Sequence, residues 1–238
     1  MILEIQNLSK AFGSVVVADK LDISVAEGEA LGIIGPNGAG KTSVFNLVTG
    51  TLTRDEGTIL LAGRDISDAA PQVRARAGIA RSFQIPQPFV NLTVFENLLV
   101  AATHARRLTE AAARDKCRRI LDEFALLRHA NRPAGALTLL ERKRLELARA
   151  LAAEPRVLLL DEIAGGLTES ECLGLVESIS RVRDSGVTII WIEHVVHALL
   201  AVVGRLIVLN FGRKIADGDP RTVIAAREVR EIYLGIEA

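Results

Sequence analysis

The chain has 238 residues, 49% of them hydrophobic, and its 29 Lys plus Arg balance its 29 Asp plus Glu. That length and apolar content suit one large α/β domain with a substantial core and exclude a disordered chain. Balanced charge gives no bulk attraction to nucleic acid or an anionic membrane, so no nucleic-acid partner is expected. The basic clusters Arg114–Arg119 and Arg142–Arg144 alternate with apolar residues and read as solvated helix faces.

Cys117 and Cys172 lie far apart, without the spacing of a disulfide framework or a structural zinc site, and fit reduced thiols. The opening MILEIQNL has no basic region or cleavage pattern, so no secretory leader is expected. The most apolar stretch, Val195–Leu209, is interrupted by His197, Gly204 and Arg205, and falls short of the about 18 apolar residues of a spanning helix. Work at a membrane would need another subunit.

Residues 2–8 alternate apolar and polar as a half-exposed strand, and Leu21–Val25 and Thr58–Ala62 read as further strands of an antiparallel sheet. Ala30–Ile34 is an apolar strand running into a glycine-rich loop, and Ser43–Val48 reads as helix. From about Pro88 to Leu151 the spacing turns helical, clearest over Asn91–Ala102 and Glu110–Leu127, as in a helical insert. Two βα units follow: strand Val157–Asp161 with helix Ser170–Ser185, then strand Val187–Glu193 with a helix after His194. Strand Leu206–Asn210 and a hairpin turn at Phe211-Gly212-Arg213 come next. Strands alternating with helices imply a parallel sheet.

Gly35-Pro36-Asn37-Gly38-Ala39-Gly40-Lys41-Thr42 matches GxxxxGK(S/T) between a strand and a helix. Such a loop wraps its N–H groups around a β-phosphate at a helix N-terminus. Lys41 would add a point charge to the β- and γ-phosphates, and the Thr42 hydroxyl a Mg2+ ligand. Val157–Leu160 is an apolar strand ending in Asp161 and Glu162, which places both carboxylates at the edge where parallel sheets bind ligands. Asp161 suits the metal; Glu162 suits polarising the attacking water. His194 ends the neighbouring strand, where it could donate to a γ-phosphate, although a lone histidine there is often structural. Gln84, in Arg81-Ser82-Phe83-Gln84, lies at the seam with the helical insert, within reach of metal and water.

In this order the motifs resemble the ATP-binding subunits of ABC transporters over nearly the whole chain. The resemblance implies an α/β fold: a P-loop NTPase core (about 1–87 and 152–225) with an antiparallel β subdomain, an inserted α-helical subdomain (about 88–151) and a tail (about 226–238). It implies ATP and Mg2+ as cofactors. Phe12, Gly35, Pro36, Asn37, Gly38, Ala39, Gly40, Lys41, Thr42 and Ser43 would bind nucleotide, Phe12 by stacking on adenine. Thr42, Gln84 and Asp161 would hold the metal, and Glu162, His194, Gln84 and Lys41 would carry the chemistry.

The stretches IARSFQIPQPFVNLTVFENLLVA and WIEHVVHALLAVVGRLIVLNFGRKIADGDP and the ending YLGIEA resemble, more narrowly, the ATPases of branched-chain amino acid importers. That subgroup works with two transmembrane permease subunits, a second ATPase and a periplasmic solute-binding protein, which implies a place on the cytoplasmic face of the membrane. A lipopolysaccharide-type exporter ATPase and a soluble non-transport ABC protein are the alternatives. Two departures stand out. The family signature LSGGQ falls on Leu137-Thr138-Leu139-Leu140-Glu141, with both glycines replaced by leucine. The proline that follows the DE pair is Ile163, and the D-loop aspartate is Thr168.

Overall fold

The structure, a computed structural model, describes residues 1–106 and 109–234. The first part of the chain forms β1 (Leu3–Phe12), β2 (Val15–Val25), β3 (Ala30–Ile34), α1 (Lys41–Thr49), β4 (Glu56–Leu61), β5 (Arg64–Asp65), α2 (Pro71–Ala77) and β6 (Ile79–Arg81). Three helices follow, α3 (Val94–Arg106), α4 (Glu110–Glu123) and α5 (Leu139–Ala152). The last part holds β7 (Val157–Asp161), α6 (Glu169–Asp184), β8 (Thr188–Ile192), α7 (Val196–Leu200), β9 (Arg205–Asn210), β10 (Arg213–Gly218), α8 (Pro220–Ala225) and α9 (Arg227–Leu234).

Among the described residues the strands form two sheets, an antiparallel one ordered β2-β1-β4-β5 and a larger one ordered β10-β9-β3-β8-β7-β6. In the larger sheet β9, β3, β8, β7 and β6 run parallel, and β10 closes one edge antiparallel. Every residue of β3, β7 and β8 is buried, as strands covered on both faces must be. Their side chains alternate between two cores. Val157 and Leu159 of β7 join the core shared with β1, β2 and α1, whereas Leu158 and Leu160 join the core shared with α3 to α6.

The antiparallel sheet, the parallel sheet and the three consecutive helices give the α/β architecture expected. The boundaries differ for local reasons. The helix expected over Asn91–Ala102 starts at Val94, because Thr93 and Glu96 exchange side-chain to backbone hydrogen bonds and cap it. The helix expected through Leu127 ends at Glu123. Ala125 turns left-handed (φ 55°), with Leu126 N–H on Leu121 O and Ala125 N–H on Asp122 O, a Schellman closure made without glycine. The tail beginning at 226 includes α9; residues 235–238, which end the YLGIEA stretch, lie outside the described residues.

One expectation is corrected. Arg114 lies on an exposed face and pairs with Glu110 at 2.7 Å, but Arg142–Arg144 is no solvated face. Lys143 is 4% exposed, because α5 is sandwiched between the other helices and the sheet. No helix among the described residues is long and apolar enough to cross a membrane.

Candidate functional site

Adjacent strands β3, β8, β7 and β6 each end at one edge of the parallel sheet. β3 runs into the glycine-rich loop, β8 into Glu193-His194, β7 into Asp161-Glu162, and β6 into the segment bearing Gln84. Sheet topology thus brings four separate motifs to one edge.

The loop is tightly walled. A Cβ at Gly35 (φ 156°) would lie 2.2 Å from Leu209 O, and one at Gly40 (φ 97°) 2.1 Å from Val17 O. Any side chain at either position would therefore break the loop's shape. Asn37, Gly38, Ala39, Gly40, Lys41, Thr42 and Ser43 line a cavity of about 270 Å³ together with Val15, Val17 and Glu162. Lys41 is mostly buried, and its ammonium donates to Gly35 O (2.7 Å) and Pro36 O (3.0 Å). Burial lowers the Lys41 pKa, against which the charges of Glu162 and Asp161 act.

Glu162 sits on the cavity rim with a left-handed backbone (φ 46°), a costly conformation for a non-glycine residue and one that clusters at functional sites. Its amide is fixed by Ile192 O at 2.8 Å. Gln84 Nε2 donates to Glu162 Oε2 at 2.6 Å, and His194 Nδ1 lies 3.9 Å from the same oxygen. The structure therefore gathers Lys41, Glu162, Gln84 and His194 at one edge. Phe12 stands apart from the cavity lining: its ring is 53% exposed, under the Lys10 ammonium at 5.3 Å, and it pairs across the hairpin with Val15. It is not a core residue.

Sequence reasoning missed Arg81. At the end of β6 its guanidinium donates to Asp161 Oδ2 (2.6 Å) and to Asn46 Oδ1 (2.6 Å), and it stacks 5.1 Å from the Phe83 ring centroid. The pair is nearly buried, with side-chain exposures of 7% and 4%. Arg81 was visible in the RSFQ stretch, but only β6–β7 pairing reveals its partner.

Both altered segments contain a helix cap. Thr138 caps α5 in a capping box with Glu141, and Thr168 caps α6 in a capping box with Glu171. Glu141 also pairs with His129 at 2.8 Å, so its carboxylate is tied down and does not project as a loose negative charge.

A parallel sheet whose carboxyl edge carries a glycine-rich phosphate loop, two carboxylates, a glutamine and a histidine defines a nucleotide-hydrolysing cassette. The ABC transporter family profile matches residues 18–165. A high-affinity branched-chain amino acid transport ATP-binding protein of Pseudomonas aeruginosa is 36% identical, covering 98% of each chain. The counterpart of Escherichia coli K12 is 35% identical over the same shares. A lipopolysaccharide export system ATP-binding protein of Haemophilus influenzae is 35% identical over 98% of this chain and 97% of its own. The crystal structure of an ABC transporter cassette in its ADP conformation superposes with a TM-score of 0.89 at 31% identity, covering 99% of both chains. The chain belongs to the ABC transporter family, as an ATP-binding subunit and ATPase.

Proposed function

We propose that the chain energises an importer of branched-chain amino acids or a related small solute at the cytoplasmic face of the membrane. In this reading it works with two transmembrane permease subunits, a second ATPase and, indirectly, a periplasmic solute-binding protein. The observation that carries the reading is the near full-length identity to branched-chain amino acid relatives, joined to an edge that gathers phosphate loop, carboxylates, glutamine and histidine. A second reading, the exporter ATPase, rests on the 35% identity to the lipopolysaccharide relative. Solute-dependent turnover separates the two. Assembled with its permeases and binding protein, the chain is expected to hydrolyse ATP faster when leucine, isoleucine or valine is supplied; stimulation by lipopolysaccharide instead overturns the importer assignment.

In the proposed chemistry the loop amides and Lys41 cradle the phosphates, and Phe12, exposed beside the cavity-lining Val15, stacks on adenine. Arg81 takes one oxygen of Asp161, and Gln84 gives Glu162 its nitrogen. The other Asp161 oxygen, the Gln84 amide oxygen and the exposed Thr42 hydroxyl are hard oxygen donors of the kind that would hold Mg2+. Bound there, the ion would neutralise charge on the phosphates. Glu162 orients and polarises the water, and His194 meets the γ-phosphate. The helical subdomain, about 88–151, is assigned to receive the permeases. A groove of about 280 Å³ lined by Phe89, Val100, Ala101, Arg76, His104 and Arg149 lies between it and α2 and supports that assignment.

The altered signature predicts asymmetry between two nucleotide sites. In an ABC dimer each ATP lies between one subunit's phosphate loop and the other's signature. Here Leu139 is 46% exposed, and the capping box already occupies amides at the α5 N-terminus that would otherwise face a phosphate. The site built on Lys41 is therefore expected to carry most turnover, beside a slower site served by this signature. The purified chain alone should bind ATP yet dimerise and hydrolyse poorly. Leu139→Gly with Leu140→Gly should raise ATP-dependent dimerisation and turnover several-fold; brisk hydrolysis unchanged by the glycines removes the asymmetry.

A further inference from the structure

Glu193 is wholly buried at the end of β8, yet none of the chemistry assigned above uses it. Its Oε2 accepts the Ala164 N–H at 2.9 Å, and its Oε1 accepts the N–H groups of His194 (2.9 Å) and Val195 (3.2 Å). The same Oε1 lies 3.1 Å from His194 Nδ1. A buried carboxylate is costly unless N–H donors and a counter-charge meet it. The donors are these three amides. Burial lowers the pKa of Lys143, 4% exposed on α5, against which the charge of Glu193 acts.

The partners of this one side chain come from two places that must act together. Ala164 lies two residues beyond Glu162, and His194 and Val195 form the turn after β8. An apolar residue would fill the same space without holding any of them. A carboxylate on Nδ1 fixes the tautomer and plane of an imidazole, and commits Nε2 as the nitrogen through which the ring meets a phosphate.

We propose that Glu193 is a positioning residue for ATP hydrolysis: it holds His194 and the loop after Glu162 in register with each other. The inference rests on the assignment of His194 and Glu162 made above.

Glu193→Gln keeps the volume and removes the charge. Its affinity for labelled ATP is expected to stay within about twofold of the parent in the purified full chain. Turnover in the assembled transporter is expected to fall about ten- to a hundredfold, the scale for losing a carboxylate that orients a working histidine. Nitrogen-15 shifts of the His194 ring, assigned against His194→Ala, should show a protonated Nδ1 in the parent that is lost in Glu193→Gln. Adding Glu193→Gln to His194→Ala should cost less than the product of the two separate losses, because Glu193 acts in part through the histidine. If Glu193→Gln folds poorly, Glu193→Gln with Lys143→Met removes both buried charges and is expected to fold, with turnover still low. Wild-type turnover with unchanged ring shifts in either variant overturns the proposal, as does a loss fully additive with His194→Ala. A defective His194→Ala beside a normal Glu193→Gln sinks this proposal alone; a normal His194→Ala sinks the site assignment and this proposal with it.

Discussion

Glu162→Gln is expected to leave ATP binding intact and to lower turnover about a hundredfold or more. The glutamine side chain preserves the shape that fits beside Gln84 and His194, and the cavity wall that Glu162 contributes. It lacks the negative charge that polarises a water. The backbone at 162 is held by Ile192 O and by the left-handed turn, so the replacement inherits the same position. Labelled-ATP titration and phosphate release from the assembled transporter, measured side by side, give the split between binding and chemistry. A variant that hydrolyses at the parent rate moves the base role away from Glu162, with His194 the next group to examine.

Lys41→Ala is expected to weaken ATP binding about ten- to a hundredfold, the cost of about 1.5–3 kcal/mol for a charge-assisted contact. The loss has two sources here. The ammonium that would face the phosphates disappears, and so do its hydrogen bonds to Gly35 O and Pro36 O, which hold the first turn of the loop closed. Titrating labelled ATP into both proteins measures the sum. Equal affinities would falsify the phosphate-loop assignment.

The elements around these residues differ in how far the sequence reveals them. β7 and β8 are legible because VLLLD and TIIWI are apolar runs bounded by charge, and the phosphate loop because its glycine spacing is rarely met outside a nucleotide site. β2 is legible only from Leu21, because its first half, VVVADK, is largely exposed in the hairpin and lacks the alternation that marks a half-buried strand. α2 and β6 are too short for periodicity to register. Arg81 and Glu193 were invisible as partners of Asp161 and Ala164, since the pairing exists only once β6, β7 and β8 lie side by side. Thr138 and Thr168 carry a local message that comparison with the family obscures: both begin T-x-x-E, as does Thr93, and all three start helices.

The walls of the phosphate loop come from segments far apart in the chain, and this bears on how the protein is made. The Gly40 backbone fits against Val17, Gly35 against Leu209, and the Gly212 N–H donates to Ala39 O at 3.1 Å. During synthesis the loop leaves the ribosome long before β9 and β10 do. Contacts between such distant segments form late in folding. A nascent chain stopped before β9 would carry the whole GxxxxGKT sequence without the scaffold that shapes it. Nucleotide capture therefore waits for β9 and β10, and a product stalled before them is expected to bind ATP weakly.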